Sequence, residues 1–540
     1  MLSRTLALRR IRHGCRYFST AEGGAPMRIA IVGGGVAGLS SALHLTPLVT
    51  SGHIEGPIDV FEGSSTQSGR EIGVGIWSTA MDPFVQSNEA SHQLLMDELE
   101  NKGSYLRDVG YRTPKGHWLA KSRLGGSMPD LLFIREMDLL GSLRKAVEVE
   151  EANNTIRLLS GSDYKVNSIS EGSPEPWSAP LKLGDGSVDS ERDYHLVVAA
   201  DGMNSTIRKM YGGHVCERSR LTGTAALKGP LDLPEQDELV QENWHTTGQS
   251  VATSTQDRDY TVFRGNADVS DMDVDLATSF QTWGEGQSMR FATVPMSYPN
   301  PNDPDKREER DVWFITIDKE EIISERDPVK RKELLLKEFK EWHEPIGTLV
   351  RATPPDEILM ERALAHRHSM SPVANFNEIV TRIKGKEAPS RGNGPAVVFI
   401  GDAFMCVDPI LAQGFTFGME GAAALKTCLE SSLLSDDNND DDLDHKYGHL
   451  AFDPILLRQE LKERHDNRLH RLICLLRATE MVQALGQPMT GTFGGFISRD
   501  VIRPLMRLTP GFLKTPIFNA VAKYSLGLPQ SFDGSKSKKL

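Results

Sequence analysis

Residues 28–33, Arg-Ile-Ala-Ile-Val-Gly, read as a short buried strand that runs directly into Gly33-Gly34-Gly35-Val36-Ala37-Gly38. In a G-x-G-x-x-G turn the first glycine makes the tight turn and the second lets the backbone approach a pyrophosphate. The third lets helix and sheet pack closely. A small-residue helix follows over 36–45, and Ile58-Asp59-Val60-Phe61-Glu62 reads as a second strand. Strand, helix and strand thus fall within about thirty-five residues, the size of a βαβ unit. The helix N-terminus offers unpaired N–H groups and partial positive charge to an anion. Glu62 ends the second strand, twenty-four residues past Gly38, where its carboxylate can accept hydrogen bonds from a ribose diol. A lone glycine turn would be weak evidence; with the strand, helix and acid in place, the segment predicts a dinucleotide site.

Two later strand ends repeat the theme. Tyr194–Ala200 is a buried strand followed by Asp201-Gly202 and a polar stretch, Met203-Asn204-Ser205-Thr206-Ile207-Arg208, that opens a helix. Alone, this reads as a turn capped by Asp or Ser. Ala396–Ile400 is another buried strand, ending in Gly401-Asp402-Ala403, with Asp408-Pro409 and Gln413-Gly414 ahead of a helix over 415–434. An acid here can bind ribityl or ribose hydroxyls, and the helix end can stabilise negative charge.

Between these segments the pattern changes. From about 222 to 320 short alternating strands separated by Pro, Asn and Asp predict a mostly antiparallel sheet. Helices are expected at 84–101, 137–152, 328–343 and 454–484, and short helices over 486–528. The chain divides into a basic leader and linker (1–26), a nucleotide-binding domain in two parts (27–221 and 391–435), and a substrate domain (222–390). An acidic loop (436–448) and a C-terminal helical region with its tail (449–540) complete it.

In combination, the GxGxxG, Asp-Gly and Gly-Asp segments resemble those of the class A FAD-dependent flavoprotein monooxygenases, the group that includes aromatic-ring hydroxylases. Arg70-Glu71-Ile72-Gly73-Val74-Gly75-Ile76 is similar to that family's flavin-lining loop, and Ile134-Arg135-Glu136-Met137-Asp138 to its arginine segment. The resemblance implies an α/β fold: a Rossmann-type FAD-binding domain of the p-hydroxybenzoate-hydroxylase-like kind, an antiparallel substrate domain and a C-terminal helical region. It implies an FAD site made by Gly33, Gly35, Val36, Ala37, Gly38, Glu62, Arg70, Gly75, Arg135, Asp201, Gly202, Asp402, Pro409, Gln413 and Gly414. In that site Glu62 holds the adenosine ribose, Arg135 sits beside the FAD and Asp402 binds the ribityl chain. Asp201 and Gly202 lie near the pyrophosphate, while Pro409 and the backbone near Gly414 face the flavin ring. NAD(P)H would be the electron donor, and a flavin C4a-hydroperoxide would deliver oxygen to a small aromatic or isoprenoid-like substrate. The chain departs from the pattern at Ala403-Phe404-Met405-Cys406-Val407, where many relatives have Ala-Ala-His, and at Ala412, where glycine is usual.

A flavin carries the hard chemistry, so no protein nucleophile or metal is called for and no catalytic residue is assigned. His245, Tyr260, Arg264 and Tyr298 are candidates to orient substrate but read more readily as sheet residues. His366 and His368 lack metal-ligand company, and Cys406 reads as a packed loop thiol. Two other readings share the fold: a flavin reductase or dehydrogenase, and a prenyl-binding escort without FAD, against which Glu62, Arg135 and Asp402 together argue. A flavin halogenase finds no Trp-x-Trp-x-Ile-Pro segment here.

Residues 1–18 carry Arg4, Arg9, Arg10, Arg12 and Arg16 and no acid, the composition of an organellar transit peptide. Arg16-Tyr17-Phe18-Ser19 resembles a mitochondrial processing site, so mitochondrial import is expected, with plastid or cytoplasmic residence as alternatives. The net charge of -13 argues against nucleic acid as a partner. No apolar run is long enough to span a bilayer. In the tail, Arg503, Arg507 and Lys514 interleave with Leu505, Leu508, Phe512 and Leu513, a pattern compatible with ordinary packing or with peripheral membrane contact.

Overall fold

The computed structural model describes residues 25–65, 69–70, 72–126, 128–170, 177–210, 256–269, 278–284, 289–300, 303–365, 373–375, 394–404, 406–407, 411–433 and 496–528, with scattered positions between 452 and 485. The basic leader, the acidic tract, His245, His366, His368 and Pro409 lie outside them.

Strand β1 (Ile29–Val32) and strand β2 (Ile58–Glu62) are buried at every position and pair in parallel, joined by helix α1 (Val36–Thr50). Continuous burial is the mark of a parallel strand covered on both faces. Leu196–Ala199 pairs on the other side of β1, followed by Ala396–Phe399, while Ile156–Ser160 pairs with β2. Val373–Asn375 adds an antiparallel edge, making six strands. One face packs on α1, α3 (Ala90–Lys102) and α4 (Glu136–Ala152), and the other on a small antiparallel sheet from residues 166–189. Asp59 is buried inside the sheet, where it accepts from Arg157 Nε at 2.7 Å and Tyr194 Oη at 2.7 Å, which satisfies it.

A second sheet of seven strands runs in the order 359–365, 256–268, 303–317, 290–300, 278–283, 108–112, 118–123. Its last two strands come from a stretch that the sequence pattern left with the nucleotide-binding domain. Asp108–Arg112 also pairs in parallel with Thr278–Thr282, so the sheet is not antiparallel throughout. Alternation decides a strand's existence, not its partner. The helix expected over 84–101 is two, α2 (Ser78–Val85) and α3, and the loop expected over 70–76 contains a strand, Gly73–Trp77. The helix expected over 328–343 ends at Glu338. Among the described residues no helix is long and apolar enough to cross a membrane.

His44 and His92 are buried where α1, α2 and α3 meet. His44 stacks on Phe84 at 4.0 Å, and His92 Nε2 donates to the Leu43 carbonyl at 3.0 Å. Burial, reinforced by repulsion from His92 and Lys426, pushes His44 down to about 3. An unfolded histidine titrates near 6.5, so the unfolded state binds the extra proton first and stability falls as pH drops below about 6.5. His44→Leu should remove about 2 kcal/mol of the stability loss between pH 7 and pH 5, read as a flatter dependence of urea-unfolding midpoints on pH. An unchanged slope would show that His44 does not titrate on unfolding.

Candidate functional site

The glycine turn between β1 and α1 is closed on two sides and open on the third. Gly33 has φ +112°, and a Cβ there would lie 2.3 Å from the Ala200 carbonyl oxygen. A Cβ on Gly38 would lie 1.8 Å from the Gly33 oxygen. At Gly35 a Cβ would meet nothing within 4 Å, and this open side faces a cleft of about 920 Å³. No side chain caps α1, so its first N–H groups present to that cleft. Glu62 is drawn onto the turn, its Oε2 accepting from Gly34 N at 2.8 Å and its Oε1 from Ser64 N at 2.8 Å.

The strand that ends at Phe399 brings the Gly401-Asp402 loop to the same cleft. Gly401 has φ +62°, and a Cβ on it would fall 2.9 Å from Ala37 Cβ. The loop therefore rests directly on the start of α1. Asp402 lines the cleft, and burial pushes its carboxyl up to about 6 against the opposing pull of Arg70 and Arg208. Arg208 is fully buried and donates from Nη1 to the Asp402 and Ala403 carbonyls at 3.1 and 2.9 Å, and from Nη2 to the Met203 carbonyl. It thereby clamps the Asp-Gly segment to the Gly-Asp segment.

Among the residues expected at the site, Gly35, Val36, Ala37, Arg70, Gly75, Gly202, Asp402, Gln413 and Gly414 line this one cleft. Gly33 and Gly38 shape the turn behind it. Glu62 stands beside the turn but does not line the main cavity. Asp201 is half-buried, its Oδ2 accepting from Thr206 N at 2.6 Å, and desolvation raises its carboxyl; it acts as the turn cap that the local sequence implied. Arg135 is not brought to the cleft. Its guanidinium is held by Asp138 at 2.7 and 2.9 Å and lies over Tyr298 at 5.0 Å. Asp138, one helical turn on, captures it first. Pro409 lies outside the described residues.

The seven-stranded sheet forms the opposite wall. Tyr260 and Arg264, weighed as ordinary sheet residues, both line the cleft, whereas Tyr298 does not and stacks between Arg135 and Arg310. Arg264 pairs with Glu361 at 3.0 Å, and Arg70 with Glu136 at 2.8 Å, which gives this end a charged rim. Arg290 donates to Thr316 Oγ1 at 3.2 Å and lies over Tyr260 at 5.4 Å. Tyr111, Phe280, Val482 and Phe518 add apolar surface to the lining, and burial pushes the Tyr111 phenol up to about 12 against the opposing pull of Arg290.

No protein-family model matches the chain. Over 170 residues it is 29% identical to the aurachin C monooxygenase/isomerase of Stigmatella aurantiaca, a match covering 32% of this chain and 35% of that protein. The chain thus spans about a third of the length of the curated relative it matches. The solved structure of Klebsiella pneumoniae HpxO with FAD and uric acid matches over 94% of this chain and 98% of its own, with TM-score 0.58 and 17% identity. That of 2,6-dihydroxypyridine-3-hydroxylase from Arthrobacter nicotinovorans matches over 87% and 96%, with TM-score 0.52 and 13% identity.

The chain has the class A flavoprotein monooxygenase fold.

In this flavoprotein fold the sequence reading missed what holds the third wall in place. Ala412, in the position where glycine is usual, has φ +49°, a left-handed conformation that explains the usual residue. Next to it Gln413 lines the cleft with its amide already engaged, donating to Ser525 Oγ at 2.8 Å and accepting from Arg471 Nη2 at 2.8 Å. Arg471 also meets Glu420 Oε2 at 3.0 Å and the Ser525 carbonyl, and Glu420 accepts from Thr79 Oγ1 at 2.7 Å. No local signal marks Arg471 or Glu420, because their partners lie far off in sequence. Arg471→Met should destabilise the protein by about 3–5 kcal/mol, since it breaks the ion pair with Glu420 and removes the donors to Gln413 and the Ser525 carbonyl at a buried position. Arg471→Met with Glu420→Gln should recover part of that in chemical denaturation; a loss below 1 kcal/mol would mean the pair is water-accessible.

Proposed function

We propose that this chain is an FAD-dependent monooxygenase that consumes NAD(P)H and O₂ and acts on a small aromatic or isoprenoid-like molecule. The observation that carries the reading is the convergence on one cleft of the open glycine turn, the uncapped start of α1, and the Asp402 carboxylate, with a sheet wall opposite. These groups suit FAD. The pyrophosphate fits the space beside Gly35, where N–H groups and the helix dipole favour an anion. Glu62, already oriented by two backbone N–H groups, accepts from the adenosine ribose, and Asp402 accepts from the ribityl hydroxyls. Arg70 and the first turn of the long helix Gly414–Leu433 approach the flavin end. HpxO, which shares the fold, is described with FAD and uric acid. When bound, the flavin would supply the hydride acceptance and oxygen activation that no protein side chain provides.

The chain's own contribution is then position, electrostatics and dryness. The apolar side chains of the cleft exclude water from the reacting atoms. The Arg264–Glu361 pair and Arg290 on the sheet wall offer fixed charge for a polar group of the substrate. The arginine-rich, acid-free residues 1–18 support mitochondrial residence, which a reporter fused after residue 26 would test.

Purified protein should be yellow, with one flavin per chain. Oxidation of NAD(P)H should be stimulated by phenols or isoprenoids and should consume O₂ with product oxygenation; stimulated oxidation without O₂ uptake would replace monooxygenase by reductase. Gly35→Ala should keep the thermal midpoint of the apoprotein yet lose flavin, because its methyl group fills the pyrophosphate space and touches no protein atom. Retained flavin in that variant would move the cofactor elsewhere.

Asp402 adds a pH signature. Its carboxyl, near 6 in the free protein, accepts better when ionised, so flavin should bind more tightly as pH rises from 5 to 7. Asp402→Asn should flatten that dependence and weaken binding at pH 7 by about 10- to 100-fold in flavin titrations. Equal pH slopes in the two proteins would exclude Asp402 as a ligand.

A further inference from the structure

The C-terminal helices Arg503–Leu508 and Gly511–Ser525 have two dissimilar faces. On the inner face Phe518, Val521, Ala522 and Ser525, spaced i, i+3, i+4, i+7, form a wall of the cleft. The second helix is fixed there by Lys514 Nζ donating to the Trp118 carbonyl at 3.0 Å and Thr515 Oγ1 to the Lys121 carbonyl at 3.1 Å. The outer face carries Leu505, Leu508, Phe512, Leu513 and Ile517, all more than half exposed, with Leu508 at 79% and Phe512 at 75%. An exposed apolar patch of this kind on a folded protein marks an interaction surface.

The charge of this region is opposite to that of the whole. From residue 501 to 540 the sequence carries Arg503, Arg507, Lys514, Lys523, Lys536, Lys538 and Lys539 against the single acid Asp533, in a chain of net charge -13. Arg507 is exposed within the apolar patch itself. Large apolar side chains around the exposed Arg507, on helices too short to span and in a basic stretch of sequence, match a surface that lies in a bilayer interface with anionic headgroups. A second copy of this chain fits less well, since a symmetric pairing would bring the two Arg507 side chains and the two basic C-terminal stretches together.

We propose that these two helices dock the protein on an anionic lipid bilayer. The same helix would then separate the lipid from the cleft, and a substrate with a hydrocarbon chain would enter from the bilayer, its chain lying against Tyr111, Val482 and Phe518. The substrate part rests on the monooxygenase reading; the docking part does not.

The test is co-sedimentation of the full chain, with its flavin, on vesicles of phosphatidylcholine with 30% phosphatidylglycerol and on vesicles of phosphatidylcholine alone. Wild type should pellet with the anionic vesicles, and at least 10-fold less when salt rises from 0.05 to 0.5 M. Leu508→Glu with Phe512→Glu, both at exposed positions, should weaken binding at least 10-fold with an unchanged thermal midpoint. Arg507→Glu, which leaves the apolar patch intact, should weaken binding to anionic vesicles only. Wild type that stays in the supernatant, variants that pellet equally, or a wild-type dimer that the double substitution makes monomeric would each overturn docking. Flavin absorbance of the same samples separates the two claims: colourless protein that pellets defeats the flavin reading alone. With vesicles present, 4-decylphenol should stimulate NAD(P)H oxidation at least 10-fold more than phenol; equal stimulation would overturn the hydrocarbon-chain substrate.

Discussion

The architecture depends on a close approach that only missing side chains allow. At Gly33, Gly38 and Gly401 a single added carbon would fall within 3 Å of backbone or of Ala37. These contacts bring the start of α1, the Ala200 strand end and the Asp402 loop together. The parallel register of β1 with Leu196–Ala199, and of that strand with Ala396–Phe399, places all three strand ends at the same edge of the sheet. A ligand crevice at the carboxyl ends of parallel strands follows from that arrangement.

A second constraint acts at longer range. The cleft has walls from regions hundreds of residues apart, and buried polar groups hold them in place. Arg208 joins the Asp-Gly and Gly-Asp segments through carbonyl oxygens alone, while Arg471 links Gln413 and Ser525 to Glu420. Arginine suits both positions because its planar fork of donors can satisfy several acceptors at once. Each is buried, so its contacts are also the means by which its charge is tolerated. The C-terminal helix is thereby a wall of the cleft, not an appendage to it.

The lining of the cleft is chemically mixed. Arg264, paired with Glu361, and Arg290, over Tyr260, face the same space as Tyr111 and the apolar side chains Val482 and Phe518 of the C-terminal region.

The sequence by itself determined the parallel strands, the glycine turn, the Asp402 loop and the helix that follows it, because each is written in a local pattern: continuous apolar runs, a glycine where φ is positive, an acid at a strand end. It did not determine which sheet receives residues 108–123, since alternation names a strand and not its neighbour. Nor did it foresee that Asp138 holds Arg135 away from the cleft, or that Tyr260 and Arg264 face into it. The Arg208 and Arg471 clamps were equally out of reach. Those outcomes belong to tertiary structure, because a side chain's partner is set by what packs beside it, and the competing partners lie anywhere along the chain.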